Sequence, residues 1–372
     1  MAGPHPSSAS SRRSFHALDG LRGVAALFVA MRHTAFFHSL GIPGGYLAVD
    51  LFFVLSGFVI AHAYEARLER GLSTARFLML RYLRLWPVYA LGAALGLGAA
   101  LLPGVGPRLS PAEAAHTAPL ALLMLPGPMI RPMLYPANSV AWSLGLELLA
   151  NGLFGLFWRP LRKAWALGLI MAVWAAGLIA AVAWFGKLDI GFQWRDAIGG
   201  LPRVLFSFTA GLAVHRLWRA GRFSLRLPAW LWVAPLPILL WAPQDMIVYP
   251  LICAVVVFPA LVLAAASAPQ PGPRATRLFA ALGAASYPLY ALHKPAGEIA
   301  GVILHAAPAA VRHAPLLVGV PYLAVLVLAC IALERWLDRP ARGALARAAN
   351  GAADALRARA DLLPAGGLLR RL

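Results

Sequence analysis

The chain has 372 residues, of which 60% are hydrophobic and 13% are charged, and its mean hydropathy is +0.71. Soluble globular domains contain about 45–50% apolar and about 25% charged residues, so this composition excludes an ordinary soluble domain and points to lipid as the main solvent. The net charge of +19 does not indicate a nucleic-acid binder, because the basic residues lie in short gaps between apolar runs, where they orient membrane helices.

Ten apolar runs come close to the length of about 20 residues that a membrane-spanning helix needs. In chain order they are Leu21–Leu40, Tyr46–Tyr64, Leu85–Leu102, Ser139–Trp158, Trp165–Phe185, Ala197–Leu217, Ala229–Trp241, Met246–Ala266, Leu278–Ala306 and Leu316–Leu337. The seventh run is short and proline-rich, so it is the weakest of the set. Together the runs predict an all-α integral membrane protein, a bundle of about ten transmembrane helices that has the lipid bilayer as its surroundings.

Polar segments flank these runs at both ends. We expect residues 1–17 to form a disordered cytoplasmic tail, residues 18–338 a single transmembrane domain, and residues 339–372 a basic cytoplasmic tail. With both termini in the cytoplasm, the cytoplasmic segments hold 25 of the 33 Lys and Arg residues, and the opposite side holds five. Cytoplasmic loops carry an excess of Lys and Arg, so this asymmetry supports the ten-span topology. We expect the protein in a cell membrane, namely the cytoplasmic membrane of a bacterium.

The first predicted span carries two ionisable residues on one face. Arg22 and His33 are eleven residues apart, close to three helical turns, which places them about 16 Å apart along the helix axis. Ionisable groups inside a membrane are costly unless they are paired or hydrated, so each one is a candidate functional residue. Asp19 lies one turn before Arg22 and is predicted to pair with it, as an ordinary interfacial ion pair would.

Three other spans bring polar groups to similar depths in the membrane. Asp50 lies in the outer half of the second span, and Glu147 and His293 lie near the middle of the fourth and ninth spans. Together with His33, these residues predict a polar chamber. A lone intramembrane histidine is often only a satisfied hydrogen-bond partner between helices, but that alternative does not explain why the depths match.

Five segments in order resemble motifs of the acyltransferase-3 family of integral membrane O-acyltransferases. They are LDGLRGVAA (18–26), with His33 completing an Arg-x10-His pattern, GYLAVDLFFVLSGF (45–58), RYLRLWPVY (81–89), AWSLGLE (141–147) and SYPLYALHKP (286–295). The resemblance therefore covers about residues 18–295, with family-like final helices beyond. We expect a stand-alone member, without the soluble esterase-like domain that some members append.

This resemblance implies transfer of an acyl group, usually acetyl, from cytoplasmic acyl-CoA to a hydroxyl of an extracytoplasmic carbohydrate or glycoconjugate. No metal and no nucleic acid are expected. His33 matches the catalytic histidine of the family and Arg22 its partner arginine. The full set of catalytic candidates is His33, Arg22, Glu147 and Asp50. The candidates for binding acyl-CoA are Arg22, Arg81, Arg84, Ser286, Tyr287 and His293.

Elementary chemistry agrees with these roles. Acyl transfer to an alcohol needs a base with a near-neutral pKa, which a neutral histidine supplies. We expect Glu147 or Asp50 to orient the imidazole of His33, and direct transfer and a covalent acyl-histidine both stay open. Arginines at the cytoplasmic mouth are suited to CoA phosphates, although positive-inside charge alone would also place them there.

Two other functions compete with acyl transfer. A proton-coupled secondary transporter would use the same intramembrane His, Glu and Asp groups as a relay, but it predicts inverted repeats or paired broken helices, which the sequence does not show. A non-catalytic scaffold in a polysaccharide-synthesis complex would not explain the Arg-x10-His face. Homo-oligomers, polysaccharide-synthesis partners, the acceptor and the acyl length are left open.

Overall fold

The computed structural model of the chain describes residues 14–103, 109–129, 131–221, 223, 227–241, 247–308 and 315–361. Most of these residues are helical, and an isolated antiparallel bridge between Met133 and Gln193 is the sole β pairing among them. The predicted all-α class is therefore confirmed. Residues 1–13 and 362–372, which belong to the two predicted tails, lie outside the described residues.

The first part of the chain forms seven helices. They are α1 (His16–Arg32), α2 (Ala48–Glu69), α3 (Thr74–Leu101), α4 (Pro111–Leu122), α5 (Ala141–Leu161), α6 (Ala164–Phe185) and α7 (Ala197–Arg219). Three 3-10 helices lie in the connections, at Ala35–Leu40, Pro43–Leu47 and Trp194–Asp196. Helix α4 lies between the third and fourth predicted spans and belongs to neither of them.

The second part of the chain forms seven more helices. They are α8 (Trp230–Val233), α9 (Leu236–Trp241), α10 (Val248–Ile252), α11 (Phe258–Ser267), α12 (Pro273–Ala306), α13 (Pro315–Leu333) and α14 (Arg339–Asp361). A π-helical turn at Cys253–Val257 joins α10 to α11, and another at Glu334–Asp338 joins α13 to α14. The first part of the predicted C-terminal tail is therefore a helix.

Six helical segments among the described residues are long and apolar enough to cross a membrane. They are Pro43–Glu69, Thr74–Leu101, Ala164–Phe185, Trp194–Arg219, Val248–Ser267 and Leu316–Ala349. Helices also occupy the other four predicted spans. Helix α1 is short, and two short helices, α8 and α9, share the seventh span. Helices α5 and α12 are long, but they are not among the segments that are apolar enough to cross a membrane. The chain is thus a multi-pass helical membrane protein, and the count of ten spans stays a prediction.

The first helix ends earlier than predicted. The sequence predicts a span that continues to Leu40, but α1 stops at Arg32, and the backbone of His33 is no longer helical (φ −96°, ψ 3°). The hydroxyl of Thr34 donates to the carbonyl of Ala30 at 2.8 Å, which satisfies one of the last carbonyls of the helix. A 3-10 helix follows and ends at Gly41 with a left-handed backbone (φ 51°). His33 therefore lies at the end of a helix and not within one.

Helices α1 and α12 pack closely because glycines lie in their contact. A Cβ atom on Gly23 would lie 3.0 Å from the carbonyl carbon of Leu282 and 3.1 Å from its Cα. A Cβ atom on Gly283 would lie 2.6 Å from the Cβ of Asp19. Small residues let two membrane helices approach until their backbones almost touch, which is a main source of attraction between helices in lipid. This contact determines where the end of α1 lies against α12.

We expect Gly23→Ala to destabilise the protein, because the added methyl group meets the backbone of α12, which cannot rotate away. Overpacking of this kind costs about 1–3 kcal/mol. The measurement is the thermal unfolding midpoint of the detergent-solubilised protein. Gly168→Ala in α6 is the matched control, since a Cβ there meets nothing within 4 Å. Equal midpoints for the two variants would show that the α1–α12 contact is not tight.

Candidate functional site

Two neighbouring cavities lie among the described helices, and both are lined by Val49 and Tyr290. The larger has a volume of about 610 Å³ and is lined by His33 together with residues of α2, α5, α7 and α12. We call it the His33 cavity. The smaller, of about 170 Å³, is lined by Arg22, Arg81 and Arg84. We call it the arginine cavity. The His33 cavity has the size of cavities that enclose small ligands, about 300–1,000 Å³.

His33 and His293 contact each other at the wall of the His33 cavity. The Nε2 atom of His293 lies 3.2 Å from Nδ1 of His33, and the ring centroids are 5.1 Å apart. His293 is fully buried in α12, whereas His33 lines the cavity. The structure thus brings together two of the predicted site residues. His293 itself lines neither of the two cavities.

Backbone carbonyls determine which nitrogen of each ring carries a proton. Nδ1 of His33 lies 2.9 Å from the carbonyl oxygen of Val29, and Nδ1 of His293 lies 3.1 Å from that of Leu289. A carbonyl oxygen only accepts hydrogen bonds, so each Nδ1 donates and each Nε2 keeps its lone pair. The Nδ1–H of His33 is then shared between Val29 and Nε2 of His293. Nε2 of His33 is the ring nitrogen that is left to accept a proton.

Asp50 is buried in an ion pair with Arg203 of α7. Both side chains are fully buried, and the guanidinium donates to both carboxylate oxygens, at 3.0 and 2.8 Å. Arg203 also donates to the carbonyls of Tyr46 and Ile190, at 3.0 and 3.1 Å. This bidentate pair joins α2 to α7, and its arginine lines the His33 cavity.

Glu147 likewise has other partners than His33. Its Oε1 accepts hydrogen bonds from Arg81 of α3 at 2.9 Å and from the hydroxyl of Ser56 at 2.8 Å, and it lines the arginine cavity. Neither Glu147 nor Asp50 orients His33, contrary to the expectation from the sequence. The physical reason is that each carboxylate has an arginine within hydrogen-bond distance, and a charged partner is preferred over a neutral imidazole.

The arginine cavity gathers most of the residues predicted to bind acyl-CoA. Five of the six line it, namely Arg22, Arg81, Arg84, Ser286 and Tyr287, and the sixth, His293, does not. The hydroxyl of Ser286 donates to the carbonyl of Gly283 at 2.7 Å, and that of Tyr287 donates to the carbonyl of Leu85. The cavity is therefore formed by α1, α2, α3, α5 and α12.

Each of the three arginines pairs with a carboxylate, and the three carboxylates lie on three different segments of the chain. Arg22 pairs with Asp19, as predicted, and Arg81 pairs with Glu147. The third pair joins Arg84 to Asp338 of the π-helical turn at 3.7 Å, which is beyond hydrogen-bond distance. Arg84 is also the most exposed of the three, with 44% of its side chain accessible. It is the arginine most available to an anionic ligand.

Sequence reasoning assigned no role to several residues of the site. Ser56 and Asp338, which contact the arginine-cavity network, carry no signal that would have separated them from ordinary polar residues. Lys294, which directly follows the predicted site residue His293, lines the His33 cavity. Within the described ranges, no three His, Cys, Asp or Glu side chains are grouped as ligands of a metal ion.

The chain is similar in sequence to known acyltransferases and to polysaccharide-related proteins. Residues 15–335 match the family model of an acyltransferase domain. The chain is 38% identical to Protein 2 in picA locus of Rhizobium radiobacter over 193 residues, which are 48% of this chain and all of that protein. It is 25% identical to the peptidoglycan O-acetyltransferase OatA of Listeria monocytogenes, over 59% of this chain and 36% of that protein. It is 26% identical to the exopolysaccharide production protein ExoZ of Rhizobium meliloti, over 53% of this chain and 57% of that protein. No solved structure matches the chain.

We expect Asp50→Ala to lower the stability of the folded protein, because the substitution leaves the buried guanidinium of Arg203 without its carboxylate partner. Breaking a buried pair in this way costs about 3–5 kcal/mol. Thermal unfolding in detergent measures the effect. Asp189→Ala is the control, because Asp189 pairs with Arg32 at a partly exposed site, where a pair contributes about 0–1 kcal/mol. Unchanged stability of Asp50→Ala together with lost activity would restore Asp50 as a catalytic residue.

Proposed function

The chain belongs to the acyltransferase-3 family, and on that basis we propose that it transfers an acyl group, acetyl in particular, from acyl-CoA to a hydroxyl of a carbohydrate or glycoconjugate. The observation that carries this proposal is the pairing of His33 with His293, which leaves Nε2 of His33 to act as a base in a cavity of about 610 Å³. Two of the relatives are named for O-acetylation of peptidoglycan and for exopolysaccharide production, which supports a glycan acceptor.

The proposed reaction moves one proton through His33. The hydroxyl of the acceptor gives its proton to Nε2 of His33 while its oxygen attacks the carbonyl carbon of the thioester. The tetrahedral intermediate collapses, the C–S bond breaks, and the leaving CoA thiolate takes the proton from His33. His293 holds the ring in the required tautomer through its contact with Nδ1. A covalent acyl-histidine would need the same free Nε2.

The arginine cavity is our proposed binding site for the CoA part of the donor. Guanidinium groups form short, charge-assisted bonds to phosphate oxygens, and three of them line this cavity. Arg22 and His33 belong to the same stretch of chain, eleven residues apart, so about 16 Å separates the phosphate-binding end from the base. An extended pantetheine arm would pass Val49 and Tyr290, which line both cavities.

The orientation in the membrane completes the proposal. With the N-terminus in the cytoplasm, Arg22 at the beginning of α1 faces cytoplasmic acyl-CoA, and His33 at the end of the helix faces an acceptor outside. In the cytoplasmic membrane of a bacterium, one end of α1 would then face the cytoplasm and the other end the extracytoplasmic side. This arrangement allows an acyl group to cross while CoA stays on its own side.

A transporter that relays protons is less consistent with these contacts. A relay needs its titratable groups joined by hydrogen bonds. His33 lines one cavity and Glu147 the other, and Glu147 is occupied by Arg81 and Ser56. The acyl-transfer proposal uses both cavities, whereas a relay leaves the cluster of arginines without a role.

We expect His33→Ala to lower kcat for acyl transfer by about 10²–10⁴-fold, the usual contribution of a positioned general base. The assay is transfer of radiolabelled acetyl from acetyl-CoA to extracted glycans by the purified protein. His38→Ala is the matched control, because His38 lines the same cavity but is exposed. Wild-type activity in His33→Ala would exclude His33 as the base.

We expect Arg84→Gln to raise the KM for acetyl-CoA about 10–100-fold with little change in kcat, because a bond to a charged group contributes about 1.5–3 kcal/mol. The increase should shrink at high salt, since screening weakens the interaction that the wild type retains. Arg76→Gln on the same helix is the control, because Arg76 does not line the cavity. A similar KM for the two variants would move the donor site elsewhere.

A further inference from the structure

The base in this site becomes a cation without a carboxylate beside it. When Nε2 of His33 takes a proton, the imidazolium that forms has the neutral carbonyl of Val29 and the neutral ring of His293 at its Nδ1. In many acyl-transfer enzymes a carboxylate stabilises this charge. The compensating negative charge here must therefore come largely from the reaction itself, as the oxyanion of the tetrahedral intermediate.

An oxyanion in turn needs a hydrogen-bond donor or a cation close to the thioester carbonyl. Among the described residues that line the His33 cavity, the cations besides histidine are Arg32, Arg203 and Lys294. Arg203 is fully buried, and its donors are used by Asp50 and two carbonyls. It contributes to the boundary of the cavity but has little left to offer a ligand.

Arg32 is similarly occupied. Its Nη1 donates to the carbonyl oxygens of Ile42 and Pro43, at 3.3 and 2.7 Å, and its Nη2 donates to Asp189 at 3.1 Å. These bonds hold the guanidinium between the end of α1 and the segment that follows it. Moving it to a reaction intermediate would break an ion pair and two backbone contacts.

Lys294 differs from both arginines. It lines the His33 cavity, and it directly follows His293, the residue that contacts His33. Its ion-pair partner is Glu298, one turn further along α12 at 3.2 Å, and Glu298 does not line the cavity. An ammonium group has three donors, so one contact with Glu298 leaves donors for a group inside the cavity.

We infer that Lys294 is a further catalytic residue of the proposed acyl transfer, and that its ammonium group stabilises the oxyanion formed at the thioester carbonyl beside His33. The inference rests on the proposed function, because the oxyanion exists only if a thioester is attacked in this cavity. The carbonyl π electrons move onto oxygen as the acceptor oxygen attacks, and they return when the C–S bond breaks. Lys294 gains and loses no proton in this step.

The decisive experiment compares two variants that break the same ion pair. Lys294→Met removes the cation and keeps the length of the side chain, whereas Glu298→Gln removes the carboxylate and keeps the cation. We expect Lys294→Met to lower kcat about 10²–10³-fold, the effect of losing one oxyanion donor, with KM for acetyl-CoA and for the acceptor changed less than about threefold. Glu298→Gln should stay within about threefold of the wild-type kcat.

A variant that keeps the positive charge provides the rescue. Lys294→Arg should recover part of the activity lost in Lys294→Met, because a guanidinium also donates to an oxyanion. Thermal unfolding checks that each variant is folded, and Lys294→Gln replaces Lys294→Met if the methionine variant is not. A structural role of the ion pair would lower kcat equally in Lys294→Met and Glu298→Gln, and that result would overturn the inference.

The same kinetic measurements distinguish the inference from two alternatives, binding of an anionic acceptor group by Lys294 and failure of the proposed function. A higher KM for the acceptor with an unchanged kcat would mean that Lys294 binds an anionic acceptor group, and it would overturn the oxyanion role. If the wild-type protein transfers no acetyl from acetyl-CoA, the proposed function itself fails. Wild-type transfer together with full activity of Lys294→Met would leave the proposed function standing and refute the role of Lys294 alone.

Discussion

The close packing of α1 against α12 is the contact on which the site depends. Glycines at positions 23 and 283 let the two helices approach until a side chain on one nearly meets the backbone of the other. Lipid offers no hydrophobic drive to push helices together, so close contact of this kind must supply the attraction. As a result, the end of α1 meets the middle of α12, and His33 reaches His293 at 3.2 Å.

A second constraint comes from the charges that the bundle buries. The Asp50–Arg203 pair is fully buried and joins α2 to α7, at a desolvation cost that only its bidentate geometry and two extra carbonyl contacts offset. It keeps Asp50 away from the histidines, and its arginine lines the His33 cavity. On the other side of Val49 and Tyr290, carboxylates from three segments partner the arginines. His33 therefore lines one cavity, and the three arginines predicted to bind acyl-CoA line the other.

Several features of this site follow from local spacing and were predictable. The Asp19–Arg22 pair is a contact within one helical turn, and the position of His33 eleven residues after Arg22 follows from the rise of a helix. The grouping of Arg22, Arg81 and Arg84 follows from topology, since the ends of neighbouring helices on one side of a membrane must lie near each other. The expected carboxylate partner of His33 was wrong, because depth in the membrane does not reveal which helix faces contact each other. Glu147 and His33 lie at similar predicted depths but line different cavities.

The sequence by itself determined the class of the protein, its membrane-spanning character, the family and the set of polar residues from which the site is formed, because these depend on composition, local spacing and motif order. Only the tertiary structure decided the partners of those residues. Long-range contacts such as Asp50 with Arg203, Arg84 with Asp338 and His33 with His293 depend on the rotation of each helix about its axis. That rotation is determined by packing between helices that are distant in sequence. Membrane helices are apolar on all sides, so their hydropathy does not predict which face packs against a neighbour.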